Sequence, residues 1–161
     1  MEASPLRKGL GRTSPVTTAR PGVLGPRAQD EVRVAIESDA DIVTGREKGK
    51  VMALALGFSS SDAVLIATTI SELARNIIRY ARRGEIILKR VRMGNRDGIE
   101  VMARDEGPGI ADVELAMQVG YSTSGGFGLG LPGVRKLMDD FAIDSRVGQW
   151  LTVIATKWRR R

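Results

Sequence analysis

The chain contains neither cysteine nor histidine. That excludes disulfides, zinc or haem sites built on those ligands, thiolate nucleophiles and any Ser-His-Asp triad. Carboxylates, amides, hydroxyls and basic groups are what remain for chemistry. Also missing is any apolar run near the roughly 18 residues of a membrane span, and the N-terminus lacks the apolar stretch of a signal peptide. A cytoplasmic protein without a membrane partner is the expectation. The positive charge is misleading until it is located. Of a formal net +6, Arg7, Lys8, Arg12, Arg20 and Arg27 against Glu2 hold +4, Arg159, Arg160 and Arg161 hold +3, and the residues between carry −1. Two solvated basic ends explain the excess, so no nucleic-acid partner is expected.

What the chain has in quantity is glycine. Gly107, Gly109, Gly120, Gly125, Gly126, Gly128, Gly130 and Gly133 crowd the stretch from Asp105 to Gly133. A helix or strand would not tolerate that density, since each interior glycine costs about 0.5–1 kcal/mol relative to alanine. Such a run lets backbone N–H groups approach a ligand closely. It ends in Leu131-Pro132, where proline at a first helical position would open a helix whose N-terminus favours an anion. The pattern reads as a phosphate cradle. Ahead of it, Ile99, Val101 and Ala103 alternate with Glu100, Met102 and Arg104, so period 2 places Asp105 with the apolar, inward set. A carboxylate at the end of a buried face needs a hydrogen-bond partner, and a ligand amino group would supply one.

Residues 1–29 are rich in Pro, Gly, Ser, Thr and Arg without periodicity, the composition of a disordered basic tail. Residues 30–161 form the single domain. Val32, Val34 and Ile36 predict a short edge strand. Ser38 and Asp41 start a helix that runs to about Leu56 and is closed by Gly57, with Gly45 and Gly49 weakening it. The segment Gly45-Arg-Glu-Lys-Gly49-Lys50-Val51 is not a P-loop, because it has too few residues between its glycines and no hydroxyl after the lysine. From Ser61 or Asp62 to about Arg82 a helix buries Ala63, Ile66, Ile70, Leu73, Ile77 and Ala81, while Glu72, Asn76 and Arg79 line up on another face. Strands at 85–93 and 99–105 join through Gly-Asn-Arg-Asp-Gly. A short helix and a closable loop with Tyr121 to Ser124 follow. Val134, Leu137, Met138 and Phe141 form the buried stripe of the next helix, and strands at 142–147 and 151–158 finish the domain. Helices on one face of a largely antiparallel sheet result.

Glu72-Leu-Ala-Arg-Asn76, Asp105-Glu-Gly107-Pro-Gly109 and Gly126-Phe-Gly128-Leu-Gly130, in that order and spacing, resemble the N, G1 and G2 boxes of the GHKL or Bergerat ATP-binding superfamily. ISELARNI, DEGPGI and GYSTSGGFGLGLPGVRKLMDDF are similar to the small anti-sigma-factor-type serine/threonine kinases, in particular the RsbT-type switch kinases of the stressosome. The likeness covers roughly residues 31–158. It implies an α/β fold of the α+β sandwich kind, the Bergerat ATP-binding fold, with helices on one face of a mixed, largely antiparallel sheet. It further implies ATP and Mg2+ as cofactors, Glu72 as general base, and Asn76 as magnesium ligand. Asp105 would accept from the adenine amino group. Gly107, Gly109, Ser124, Gly125, Gly126, Gly128, Leu129 and Gly130 would contact the nucleotide, and Arg79 would reach a phosphate. A lone Asn amide oxygen is enough for magnesium, which keeps several waters and takes phosphates as further ligands.

One departure stands out. The family pattern has a late Gly-x-Gly-Thr whose threonine supports the adenine-binding Asp, whereas this chain reads Gly148-Gln-Trp150-Leu151, with Thr152 one residue on. The resemblance implies a kinase that transfers the γ-phosphoryl of ATP to a Ser or Thr of a STAS-domain antagonist. A phosphatase or sigma-regulating protein would be the second partner. Histidine autokinases on this fold need a phosphoacceptor that a chain without histidine does not have. The competing reading is a noncatalytic ATP-binding anti-sigma-like regulator; the presence of Glu72 favours catalysis. A dinucleotide fingerprint at Gly128–Gly133 has no strand leading into it, and Trp150 stands about where its acidic residue should fall. HRD and DFG elements of ordinary protein kinases are absent.

Overall fold

Alternation in the strands decides which side of the sheet the helices cover. The computed structural model describes residues 30–118 and 129–161; the predicted tail at 1–29 and the loop at 121–124 lie outside them. Strand β1 (Glu31–Ile36) leads through helices α1 (Asp39–Ala55) and α2 (Ser60–Asn76) to strands β2 (Gly84–Met93) and β3 (Arg96–Asp105). Then come α3 (Val113–Ala116), α4 (Gly130–Leu137), β4 (Asp140–Arg146) and β5 (Trp150–Trp158). The strands lie in the order β1-β2-β3-β5-β4. Val34, Ile86, Ala103, Val153 and Ile143 form one row across all five, and Ile36, Gly84, Asp105, Leu151 and Ser145 form the row at its end. The apolar side chains of these rows pack with Ile42 and Ala53 of α1, Ile66, Ile70 and Leu73 of α2, and Val134 of α4 into one core.

Every strand pairing among the described residues is antiparallel, which corrects the expectation of a mixed sheet. Strands β3 and β4 do run in the same direction, but β5 lies between them, so no parallel pair forms.

Several boundaries moved for local reasons. At the start of α1 the Asp41 carboxylate accepts from the Glu37 and Ser38 backbone N–H groups, each at 2.9 Å. These bonds, that from Glu37 first, hold its carboxyl below the ordinary aspartate range. Gly45 and Gly49, expected to weaken α1, instead let it lie against α2: a Cβ on Gly49 would sit 2.1 Å from Ile70 Cδ1 and one on Gly45 3.3 Å from Ile70 Cγ2. The cap of α2 is Ser59, which accepts from Asp62 N–H at 3.1 Å, slightly ahead of the expected start. The β2–β3 turn uses only Gly94 and Asn95, since Met93 already pairs with Arg96; Gly94, at φ 60°, supplies the conformation this tight turn demands.

Helix α4 begins at Gly130, not at Pro132, and ends at Leu137. Phe141 therefore belongs to β4 and not to the helix stripe, its side chain half-buried on the helix-facing side of the sheet. The last carbonyl of the helix is capped from β5, where Lys157, almost fully buried, donates through Nζ to Leu137 O at 2.9 Å.

Candidate functional site

Asp105 stands where period 2 put it, at the end of the helix-facing rows and half-buried. Its Oδ1 accepts from Gly107 N–H at 2.9 Å, which turns the chain sharply after the strand, and no described hydrogen bond occupies Oδ2. Burial pushes its carboxyl above the ordinary aspartate range, opposed by the Gly107 bond. The following turn lies against the β4–β5 hairpin. Pro108 O accepts from Gly148 N–H at 2.7 Å, and Ile110 N–H donates to Ser145 Oγ at 2.8 Å.

A second wall comes from α2 and the turn that follows it. After Asn76 the helix widens into a π-helical turn, Ile77–Ala81, a feature that recurs at functional sites. The turn packs against the residues on either side of Asp105, one after it in the chain and one across the sheet on β2: a Cβ on Gly107 would meet Ala81 Cβ at 2.6 Å, and one on Gly84, paired with Asp105, would meet Ile77 Cγ2 at 2.8 Å. Asn76, half-buried at the helix end, makes no side-chain hydrogen bond among the described residues. Arg79 is exposed on the wider turn, whose spacing departs from the helical repeat that aligned it with Glu72 and Asn76 in sequence.

Glu72 is buried, with 9% of its surface exposed, so it is not part of an ordinary solvated stripe. Its Oε1 accepts from Arg75 Nη1 at 2.9 Å. The pair lies on a cleft of about 440 Å³ between α1 and α2, which Arg46, Lys50, Thr68 and Ser71 also line.

Of the glycine belt, Gly107, Gly109, Leu129, Gly130 and Gly133 are described; Gly120, Ser124, Gly125, Gly126 and Gly128 lie outside the described residues. Gly130 has φ 63°, a conformation that a side chain would strain at the point where α4 begins.

A model of the histidine kinase-, DNA gyrase B- and HSP90-like ATPases matches residues 61–160. The chain belongs to this ATPase family. Among its relatives, serine/threonine-protein kinase RsbT of Bacillus subtilis is 45% identical over 131 residues, which are 81% of this chain and 98% of that protein. Anti-sigma F factor of Thermoanaerobacter pseudethanolicus is 34% identical over 99 residues, 58% of this chain and 68% of that protein. A crystal structure of the RsbU and RsbW domains of a Mycobacterium tuberculosis protein superposes with a TM-score of 0.57 at 16% identity. The match takes in 81% of this chain but only 33% of that one, and it speaks for the fold alone.

The register explains how this family member departs from the late Gly-x-Gly-Thr. Leu151 is the residue paired with Asp105, whereas Thr152 pairs with Arg104. Successive residues of a strand point to opposite faces, so Thr152 projects away from Asp105 and does not substitute for the absent threonine. Two residues that bond to the candidate site escaped the sequence reading. Arg75, three residues after Glu72 on one helix, had a spacing that could have marked it. Ser145 had no local signal, because only the sheet register brings it near Ile110.

Proposed function

We propose that the chain is an ATP-dependent serine/threonine protein kinase that phosphorylates a STAS-domain antagonist in a partner switch. Its downstream partner is a phosphatase or sigma-regulating protein, and it works in the cytoplasm through one ATP-binding domain at residues 30–161. The observation that carries this reading is the buried, ion-paired Glu72 one helical turn before Asn76, in a chain whose likeness to a serine/threonine kinase spans 98% of that relative. Among the described residues no helix is long and apolar enough to cross a membrane.

Magnesium fits the donor set as a phosphate-bound ion. No group of three or more acidic side chains gathers among the described residues, and Asn76 offers a half-buried amide oxygen with no hydrogen bond among those residues. An ion that keeps its waters and takes phosphate oxygens needs little more, and when bound it neutralises charge on the phosphates. Asp105 Oδ2 accepts from the adenine amino group. Gly107 and Gly109 bring the backbone close to the base. Ser124, Gly125, Gly126, Gly128, Leu129 and Gly130 would contact the phosphates, as would Arg79 from the π turn.

In the transfer itself Glu72 takes the proton of the acceptor hydroxyl through its Oε2. The hydroxyl oxygen then bonds to the γ-phosphorus as the bond to the β-phosphate oxygen breaks, and ADP leaves with that electron pair. Arg75, by occupying Oε1, leaves a single oxygen for the proton.

The test is transfer of label from ATP to serine or threonine of a purified STAS-domain protein that copurifies with the chain. Label on that protein supports the kinase reading. ATP-dependent capture of a partner without label would support the second reading, a noncatalytic anti-sigma-like regulator, with which the 34% identical relative named anti-sigma F factor is also consistent.

A further inference from the structure

Leu151 occupies the position opposite Asp105 and carries no polar atom, yet the turn that Asp105 opens is held on both sides. At its near end Asp105 Oδ1 accepts from Gly107 N–H at 2.9 Å. At its far end Ser145, one strand beyond Leu151 in the same row, accepts from Ile110 N–H at 2.8 Å and donates to Trp150 O at 3.3 Å. The hydroxyl's donor and one acceptor position are both engaged, and the serine is half-buried. Gly109 makes the approach possible: its φ is 66°, and a Cβ there would lie 2.8 Å from both Ser145 Oγ and Arg146 O.

We propose that Ser145 takes the place of the missing late threonine as the residue that positions Asp105 for the adenine amino group, by pinning the 105–110 turn from β4. The inference rests on the reading of Asp105 as the base-recognising carboxylate. The threonine of the family pattern supports the carboxylate from the neighbouring strand; Ser145 acts one strand further away, through the backbone of the turn. Freed from Ser145, the turn keeps its Gly107 and Gly148 contacts but loses the bond at Ile110, and the direction of Oδ2 is no longer fixed.

The experiment compares Mg-ATP with Mg-ITP, which has the same sugar and triphosphate but an oxygen in place of the amino group, by calorimetry on the full chain. The parent should prefer ATP. Ser145→Ala should lose about five- to ten-fold in ATP affinity, the worth of one hydrogen bond, while ITP affinity stays at the parent value. Ser145→Thr, which keeps the hydroxyl, should restore the preference, and Ser145→Cys, of similar size but a weaker acceptor, should fall between.

An unchanged ATP affinity in a folded Ser145→Ala overturns the proposal, as does an equal loss for both nucleotides, which would mark a general structural role. If Ser145→Ala does not fold, the Cys variant decides: an ATP-to-ITP ratio equal to the parent's overturns the proposal. A parent that binds the two nucleotides equally overturns the Asp105 reading, and this inference with it.

Discussion

Arg75 Nη1 lies 2.9 Å from Glu72 Oε1 within a single turn of α2, so one oxygen of the carboxylate is engaged and the other has no partner among the described residues. The arginine side chain is 47% exposed, and a pair so accessible is worth no more than about 1 kcal/mol to folding. Its consequence is orientation, since it fixes the rotamer of a side chain that is otherwise enclosed.

Glu72→Gln should accordingly fold with a melting temperature near that of the parent and bind ATP and partner normally, because an amide keeps the bond from Arg75. Phosphate transfer should drop by about 10²–10⁴-fold, the usual contribution of a general base. Parallel calorimetry and transfer of label to a STAS-domain partner separate the two effects. Transfer at the parent rate would remove Glu72 from the mechanism.

Asp105→Asn should weaken ATP binding by about five- to 100-fold, since an amide offered donor-first to an amino group leaves a partly buried pair unsatisfied. The intact aspartate adds a pH dependence. Its carboxyl is raised by burial, and only the ionised form accepts fully from the adenine amino group. ATP affinity should therefore decline with falling pH sooner than an ordinary aspartate would allow, and the Asn variant should lack that component. The sign for stability is opposite: the folded state holds the proton more tightly than the unfolded chain, so this group's contribution falls as pH rises from the ordinary aspartate range through the raised one. Nucleotide titrations and melting curves across mildly acidic pH, run on both proteins, test both statements.

Leu151→Thr puts a hydroxyl directly opposite Asp105, where cross-strand Cβ atoms approach to about 4.5–5.5 Å. ATP affinity should hold or improve, by up to about ten-fold for one added hydrogen bond. Because Leu151 packs against the core, the melting temperature should fall by roughly a few degrees. A folded variant with weaker ATP binding would mean that the leucine itself touches the base.

Helix α1 lies tightly against α2 at Gly49, where an added Cβ would meet Ile70 Cδ1 at 2.1 Å, and Ile70 is fully buried. Gly49→Ala should therefore destabilise the fold by about 1–3 kcal/mol through overpacking, despite alanine's better helix propensity. Combining it with Ile70→Val, which removes the offending methyl, should recover most of the loss. Urea unfolding of the two single variants and the pair gives the coupling.

How far the sequence could be read depended on whether a residue's role was local. Asp105 was legible because alternation over 99–105 fixes a face without knowledge of any partner strand. Val134 and Met138 were legible for the same reason at helical spacing. Phe141 was assigned to the wrong element because, three residues after Met138, it fits a helical stripe as well as the start of a strand. Gly45 and Gly49 looked like flaws because propensity is a property of one helix, whereas their use lies in the side chain of another, Ile70. Arg79 was aligned by a 3.6-residue repeat that the backbone abandons at Ile77. Ser145 and Leu151 depend on strand register, which no local pattern contains.

The position of β5 has a consequence for how the protein comes to be made. This strand is the last in chain order, yet it lies inside the sheet between β3 and β4, and it carries both Leu151 of the Asp105 row and Lys157 at the end of α4. A nascent chain that has emerged only as far as β4 holds nearly all of the proposed nucleotide-binding residues, but β3 still presents an open edge and β4 has no strand to pair with. Closing such non-local pairings comes late and leaves strand edges open to other chains meanwhile. Emergence of β5, not synthesis of the glycine-rich motifs, is then the step that completes the Asp105 row. A chain stopped before Trp150 should be found in aggregates or degraded, not as a weaker enzyme.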